Sequence, residues 1–140
     1  LEICTFLHDH PSLYFDYLAD LCGADYFDKK VPRFEVVYNL YSIRHRHRIR
    51  LKAQVPEDNP SIDTVTSVWV GANWHERECF DMYGIVFKGH PDLRRILLPE
   101  DWEGYPLRKD YPVKGPEKEW PGFQEVLDKA KQFKDFGWKE

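Results

Sequence analysis

Residues 34–55 read FEVVYNLYSI-RHRH-RIRLKAQV, and their pattern decides the fold. Phe34 to Ile43 is rich in β-branched and aromatic residues, the composition of a strand. Arg48 to Val55 alternates: Ile49, Leu51, Ala53 and Val55 fall on one face, Arg48, Arg50, Lys52 and Gln54 on the other. Arg44 to His47 joins the two runs, which predicts a β-hairpin.

Upstream, residues 1–9 read as a helix end. A second helix is expected from Ser12, a suitable N-cap, with Tyr14, Tyr17, Leu18 and Leu21 at helical spacing and Gly23 as its C′ residue. Downstream of the Pro-bounded loop 56–60, TVTSVWV (residues 64–70) reads as a further strand. Asn73 then opens a short helix, Asn73 and Glu76 resembling a capping box, and Gly84 closes it. His75, Cys79, Met82 and Tyr83 share one face of this helix. The class is α/β of the α+β kind: N-terminal helices, a mixed or antiparallel sheet with its hairpin, and a short capped helix.

From Lys88 to Pro121 six prolines leave no periodic segment. Yet this stretch holds Ile96, Leu97, Leu98, Trp102, Tyr105, Leu107, Tyr111 and Trp120, residues in which disordered linkers are poor. An ordered but irregular strap is expected, held along its own domain and against another protein. A last helix follows over 121–136, with Phe123, Val126, Leu127, Ala130 and Phe133 as an apolar stripe. The organisation is therefore an α/β domain over 1–98 and an extended strap with its terminal helix over 99–140.

The chain has 140 residues, enough for one core, and a net charge of −4. That balance gives no reason to expect nucleic acid as a partner. Residues 1–28 carry six acids and no Lys or Arg, while residues 29–54 carry eight bases and one acid. Two neighbouring elements that complement each other explain this best. Three scattered cysteines, Cys4, Cys22 and Cys79, argue against a disulfide framework and fit a reducing compartment. No apolar run reaches the roughly 18 residues of a membrane span. The pairs His8/His10, His45/His47 and His75/Cys79 lack a third clustered ligand, so no metal is expected. Glu76, Glu78 and Asp81 share a helix with Arg77, and could in principle do acid–base work. A charge network is the better reading, with Arg77 and Asp81 as i,i+4 partners keeping the acids ionised. No nucleophile elbow or Gly-rich phosphate loop is present.

The segment ERECFDMYGIVFKGHPDLRRIL (Glu76 to Leu97) resembles the signature of the thirty-kilodalton family, the C-type subunits of proton-pumping NADH-quinone oxidoreductase, respiratory complex I. The matching positions are Glu76, Arg77, Glu78, Asp81, Met82, Tyr83, His90, Arg94, Ile96 and Leu97, with Gly84 closing the helix. PEDWEGYPLRKDYP (Pro99 to Pro112) and the hairpin also look like the family. The resemblance implies a non-catalytic structural component of the hydrophilic arm. On this reading the large D-type subunit of the quinone module is the main partner, and the C-terminal extension runs along it. The resemblance places FMN, iron–sulfur clusters and quinone in other subunits and no cofactor in this chain. It also implies a peripheral position on the cytoplasmic side of the bacterial membrane, or on the matrix side of the mitochondrial one. Related domains occur in membrane-bound hydrogenases and reduced-deazaflavin dehydrogenases. Within the resemblance, Glu76 to Gly84 is expected to lock the domain internally. Leu97, Trp102, Tyr105, Leu107, Arg108, Tyr111, Phe123 and Leu127 are the expected partner surface.

Overall fold

The hairpin forms as expected. In the computed structural model, which describes residues 1–113 and 121–134, strand β2 (Phe34–Ser42) pairs antiparallel with β3 (His47–Val55). On β2 the residues Phe34, Val36, Tyr38, Leu40 and Ser42 face the core, and their neighbours face away. Register carries this alternation into β3, so Val55, Ala53, Leu51 and Ile49 line the same inner face. Helix α1 (Glu2–Asp9) buries Cys4 and Leu7 in the same core.

The second N-terminal helix does not form. Residues 17–25 are strand β1 (Tyr17–Asp25), antiparallel to β2, so the sheet order is β1-β2-β3. A register shift between Leu18 and Asp20 inserts one residue, which lets Leu18 and Leu21 both face inward. Their three-residue spacing mimics a helix for that reason. Gly23 is no helix C′ residue. A side chain there would stand 2.5 Å from Cδ2 of Tyr83 and 3.0 Å from Sγ of Cys79. The glycine lets the helix α2 (Ala72–Tyr83) lie directly on β1.

Residues 64–70 are not a strand either. They form turns in which the amides of Val68 and Trp69 donate to Val65 O, and they bury Val65 and Trp69 in the core. The nearby strand is short: β4 (Ser61–Asp63) runs parallel to β5 (Val86–Lys88). Helix α2 starts at Gly71 without a side-chain cap, and Asn73 lies inside it. The capping box fails because the Glu76 carboxylate turns away from the helix start, into the core. Gly84 ends α2 at φ 72°, as the sequence predicts. Helix α3 (Pro121–Lys134) matches the expected last helix.

The charge asymmetry is partly resolved within the fold. Arg33 grips Asp25 of β1 with both Nε and Nη2, each at 2.9 Å. Within the basic stretch itself Lys30 bonds Glu35, and Arg50 donates to the neutral Asn39 Oδ1 at 2.8 Å.

Candidate functional site

Asp81 and Arg77, two residues of the segment Glu76 to Leu97, meet the strap at one place on α2. Asp81 is completely buried, and both of its oxygens are occupied. Oδ2 accepts from the backbone N–H groups of Ile96, Leu97 and Leu98 at 3.0, 2.7 and 2.9 Å. Oδ1 accepts from Nη1 of Arg95 at 2.7 Å. Burial alone would raise the Asp81 pKa. The Leu98 amide, Arg95 and the amides of Ile96 and Leu97 outweigh it and hold the carboxyl below its ordinary range. Three successive amides on one oxygen fold the chain tightly around it, as in an anion-binding nest.

Arg77 reads the same segment from its other polarity. Nε donates to Arg94 O and Nη2 to Arg95 O, both at 3.2 Å, and its guanidinium lies over the Trp74 ring. The expected Arg77–Asp81 pair is therefore absent; one helical turn of α2 instead takes hold of the strap's carbonyls and amides together. The sequence pattern points to Arg94, but Arg94 is exposed and pairs with Asp92 at 2.9 Å. Its neighbour Arg95 is the central cation. Besides Asp81 it donates to Trp102 O at 2.9 Å and Gly104 O at 3.1 Å, and it lies over Tyr105. The only sequence clue to this role is the adjacent Arg94-Arg95 pair just before an aliphatic run.

Glu76 is also completely buried. It accepts from Thr64 Oγ1 at 2.5 Å and from Val65 N at 2.7 Å, pinning the 64–70 turns to α2. Burial pushes its pKa up, against the opposing effects of Thr64, Val65 and His90. Its oxygen lies 4.0 Å from Nε2 of His90. His90 Nδ1 accepts from Asp92 N at 3.0 Å, which assigns the ring proton to Nε2, facing Asn73 O at 3.3 Å. Glu78, by contrast, is exposed, on the rim of a small cavity of about 110 Å³ between α2 and β1. The three acids thus have separate surroundings.

The strap continues along the domain. Leu107 N donates to Met82 O at 3.1 Å and Arg108 Nε to Tyr83 O at 2.7 Å, next to the C-terminus of α2. Arg108 stacks between the rings of Phe34 and Tyr105. At Gly84 a Cβ would stand 2.5 Å from Tyr105 Cε2, so this glycine serves both the left-handed turn and the strap's approach. Lys109 N donates to Asp25 Oδ2 at 2.8 Å, and Asp110 receives Arg33 Nη2 at 2.7 Å. Tyr111 reaches Glu103 O at 3.3 Å. Leu97 and Leu107 point outward, 62% and 52% exposed. Trp102, Tyr105, Arg108 and Tyr111 are half-buried, and Leu127 on α3 is exposed. The side chain of Phe123, and Trp120 altogether, lie outside the described residues.

The family model for the respiratory-chain NADH dehydrogenase 30 Kd subunit matches residues 1–117. The chain belongs to this family. The C-type NADH-quinone oxidoreductase subunit of Roseiflexus castenholzii is 58% identical over 113 residues, 81% of this chain and 64% of that protein. Its counterpart from Geobacter metallireducens is 56% identical over 119 residues, covering 85% and 72%. The chain thus spans a little under two thirds of the Roseiflexus relative. Among solved structures, the trypsin-resistant fragment of Nqo5 superposes with a TM-score of 0.55 at 43% identity, covering 59% of this chain and 68% of the fragment. An archaeal membrane-bound sulfane sulfur reductase complex contains a chain of the same fold, with a TM-score of 0.63 at 21% identity, over 90% and 72%. The segment Glu76 to Leu97, which forms the α2–strap junction here, lies within the residues the family model matches.

Proposed function

We propose that the chain is a non-catalytic structural component of NADH-quinone oxidoreductase, supporting the quinone-reducing module by binding its large D-type subunit. The observation that carries this is the occupancy of the signature. Asp81 spends its oxygens on three strap amides and the Arg95 guanidinium, Arg77 donates to strap carbonyls, and Glu76 is taken up by Thr64 and Val65. Groups so buried and so fully bonded are suited to holding a segment in one shape. Leu97 and Leu107 of the segment they hold, and Leu127 of α3, are exposed, which suits a docking surface. FMN, iron–sulfur clusters and quinone belong, on this reading, to other subunits. No described helix is long and apolar enough to cross a membrane, which suits a peripheral place on the cytoplasmic or matrix side of one. The likeness to the archaeal reductase chain leaves a second host open: a related membrane-bound complex with another electron donor.

The test is assembly. Arg95→Ala or truncation after Tyr105, made in the native host, should lower the amount of intact complex while each remaining complex keeps its quinone kinetics. Normal complex levels with altered quinone kinetics would refute the structural role. So would turnover by the isolated chain that Glu78→Gln abolishes. Recovery of the chain only with proteins other than the large quinone-module subunit would refute the partner.

A further inference from the structure

One acid of α2 has no task inside the domain. Glu76 and Asp81 are buried and bonded, and Arg77 holds the strap. Glu78 is exposed, and no hydrogen bond or ion pair engages it among the described residues. It stands on the rim of the cavity of about 110 Å³ between α2 and β1. Asp20 lines the same cavity from β1. Its neighbours are Asn39 Nδ2 at 3.4 Å and His75 Nδ1 at 3.8 Å, and no lysine or arginine pairs with it among the described residues.

Beneath these two acids the lining is apolar. Leu21, Cys79 and Met82 are buried, Tyr83 is half-buried beside them, and Gly23 adds no side chain. Cys22 lies exposed at the mouth. Burial and the Asp20 carboxylate push its thiol pKa up, and Glu78 adds to them against Arg50, so the mouth carries a negative field. Leu107 of the strap completes the lining and is itself exposed, which makes the cavity continuous with the strap's outward surface. One turn of α2 before Glu78, Trp74 is 62% exposed.

We propose that this cavity receives a lysine or arginine side chain of the large D-type subunit, its stem over Leu21 and Met82 and its cationic head between Glu78 and Asp20. The seat rests on the docking role proposed above and adds to it the chemistry of one contact. Apolar cavities of about 150 Å³ hold a benzene, so this room suits a single side chain rather than a helix. Lysine and arginine join an apolar stem to a charged end, and they bury the stem while the head meets its partner. An aliphatic side chain would cover the floor but leave both carboxylates without a cation, and an acidic one would be repelled. An exposed ion pair contributes little. Inside a formed interface the same pair is shielded from water, and removing either charge leaves the other unpaired.

The test uses the assembled complex. A benzoylphenylalanine photo-crosslinker at position 74 should attach to a segment of the D-type subunit that carries a lysine or arginine. No attachment, or attachment to another subunit, to this chain itself or to a segment without a basic residue, overturns the assignment. Charge exchange then tests the pair. Glu78→Lys, and an acid in place of the captured basic residue, should each lower the amount of intact complex about tenfold, and the two together should restore it to within about twofold. The urea midpoint of the full Glu78→Lys chain should match wild type, because Glu78 bonds nothing inside the described domain, so lost assembly is not lost folding. Single changes without effect, or a double variant no better than the singles, overturn the seat. Arg95→Ala separates this contact from the docking role. If Arg95→Ala lowers assembly while charge exchange changes nothing, the seat is wrong and the docking role stands. If neither lowers assembly, both are wrong.

Discussion

Replacing Asp81 by Asn tests whether the strap is held by one side chain. The wild-type carboxylate takes three backbone amides on Oδ2 and Arg95 on Oδ1, with no exposure to water. Asn keeps the volume but offers one oxygen and one NH₂. Whichever way the amide turns, its N–H groups face either the Arg95 cation or the three backbone donors. One side of the network is then left without an acceptor. Removing one partner of a buried charge pair costs about 3–5 kcal/mol. A domain of this size holds only about 5–15 kcal/mol in total. The loss falls on bonds that join the strap to α2, so the strap should detach before the sheet melts.

The assay is amide hydrogen exchange on the full chain. Protection of Ile96, Leu97 and Leu98 should fall by about 100-fold or more, each 1.4 kcal/mol being a factor of ten. Amides of β2 should change less. Acidification supplies an internal check. The Asp81 pKa is depressed in the fold, so its contribution is present above the unfolded carboxylate value and is lost as pH falls through the folded one. The variant has no such loss, and the gap between the two proteins should narrow in acid. Strap amides that stay protected to within threefold at neutral pH, with an unchanged urea midpoint, would refute the reasoning.

Gly23→Ala should destabilise by about 1–3 kcal/mol, read from the urea midpoint, because its Cβ meets the Tyr83 ring and Cys79 Sγ and forces α2 away from β1. Glu76→Gln should gain stability relative to wild type as pH rises from about 4 towards 7: burial raises the Glu76 pKa, so ionising it costs the folded state above the unfolded value. A gap that is flat or shrinks with pH would count against that. Asp25 titrates at about 2, since Arg33 and the amides of Lys109 and Phe27 outweigh its burial. Relative to the ordinary value of 3.8 this contributes about 2.5 kcal/mol at neutral pH, lost as pH falls from about 5 through 2. Arg33→Leu should abolish that acid dependence and expose the Lys109 amide to exchange.

Much of this fold is legible in the sequence where one period dominates. The hairpin alternates over its second strand, and both Gly84 and α3 follow helix grammar. β1 is misread because its bulge spaces Leu18 and Leu21 like a helix, and Gly23 suits a helix end as well as a close contact. The 64–70 run has strand composition, but the Glu76 carboxylate claims the Val65 amide and buries Val65 and Trp69 as turns. Tertiary bonding overrides local preference there. The junction is half legible. Its residues lie in the signature, but the partner of Asp81 sits fourteen positions away on irregular backbone, where no periodicity announces Arg95.

Why acids and arginines cluster in such a signature follows from the strap itself. An irregular segment cannot satisfy its own amides and carbonyls as a helix or sheet does, and burying them unpaired is costly. Side chains of α2 and of the strap itself must supply the missing partners. A carboxylate that accepts three amides does this for the donors, and two guanidiniums do it for the acceptors. Arg77 takes the carbonyls of residues 94 and 95, and Arg95 takes those of 102 and 104. Neutral side chains would provide fewer and weaker bonds at the same sites. Lysine in place of Arg95 therefore should not restore what alanine removes. It keeps the charge but lacks the planar fork that spans Asp81, Trp102 O and Gly104 O together. If Arg95→Lys assembled into the complex as well as wild type, charge alone would hold the strap, and the geometric account of the junction would fail.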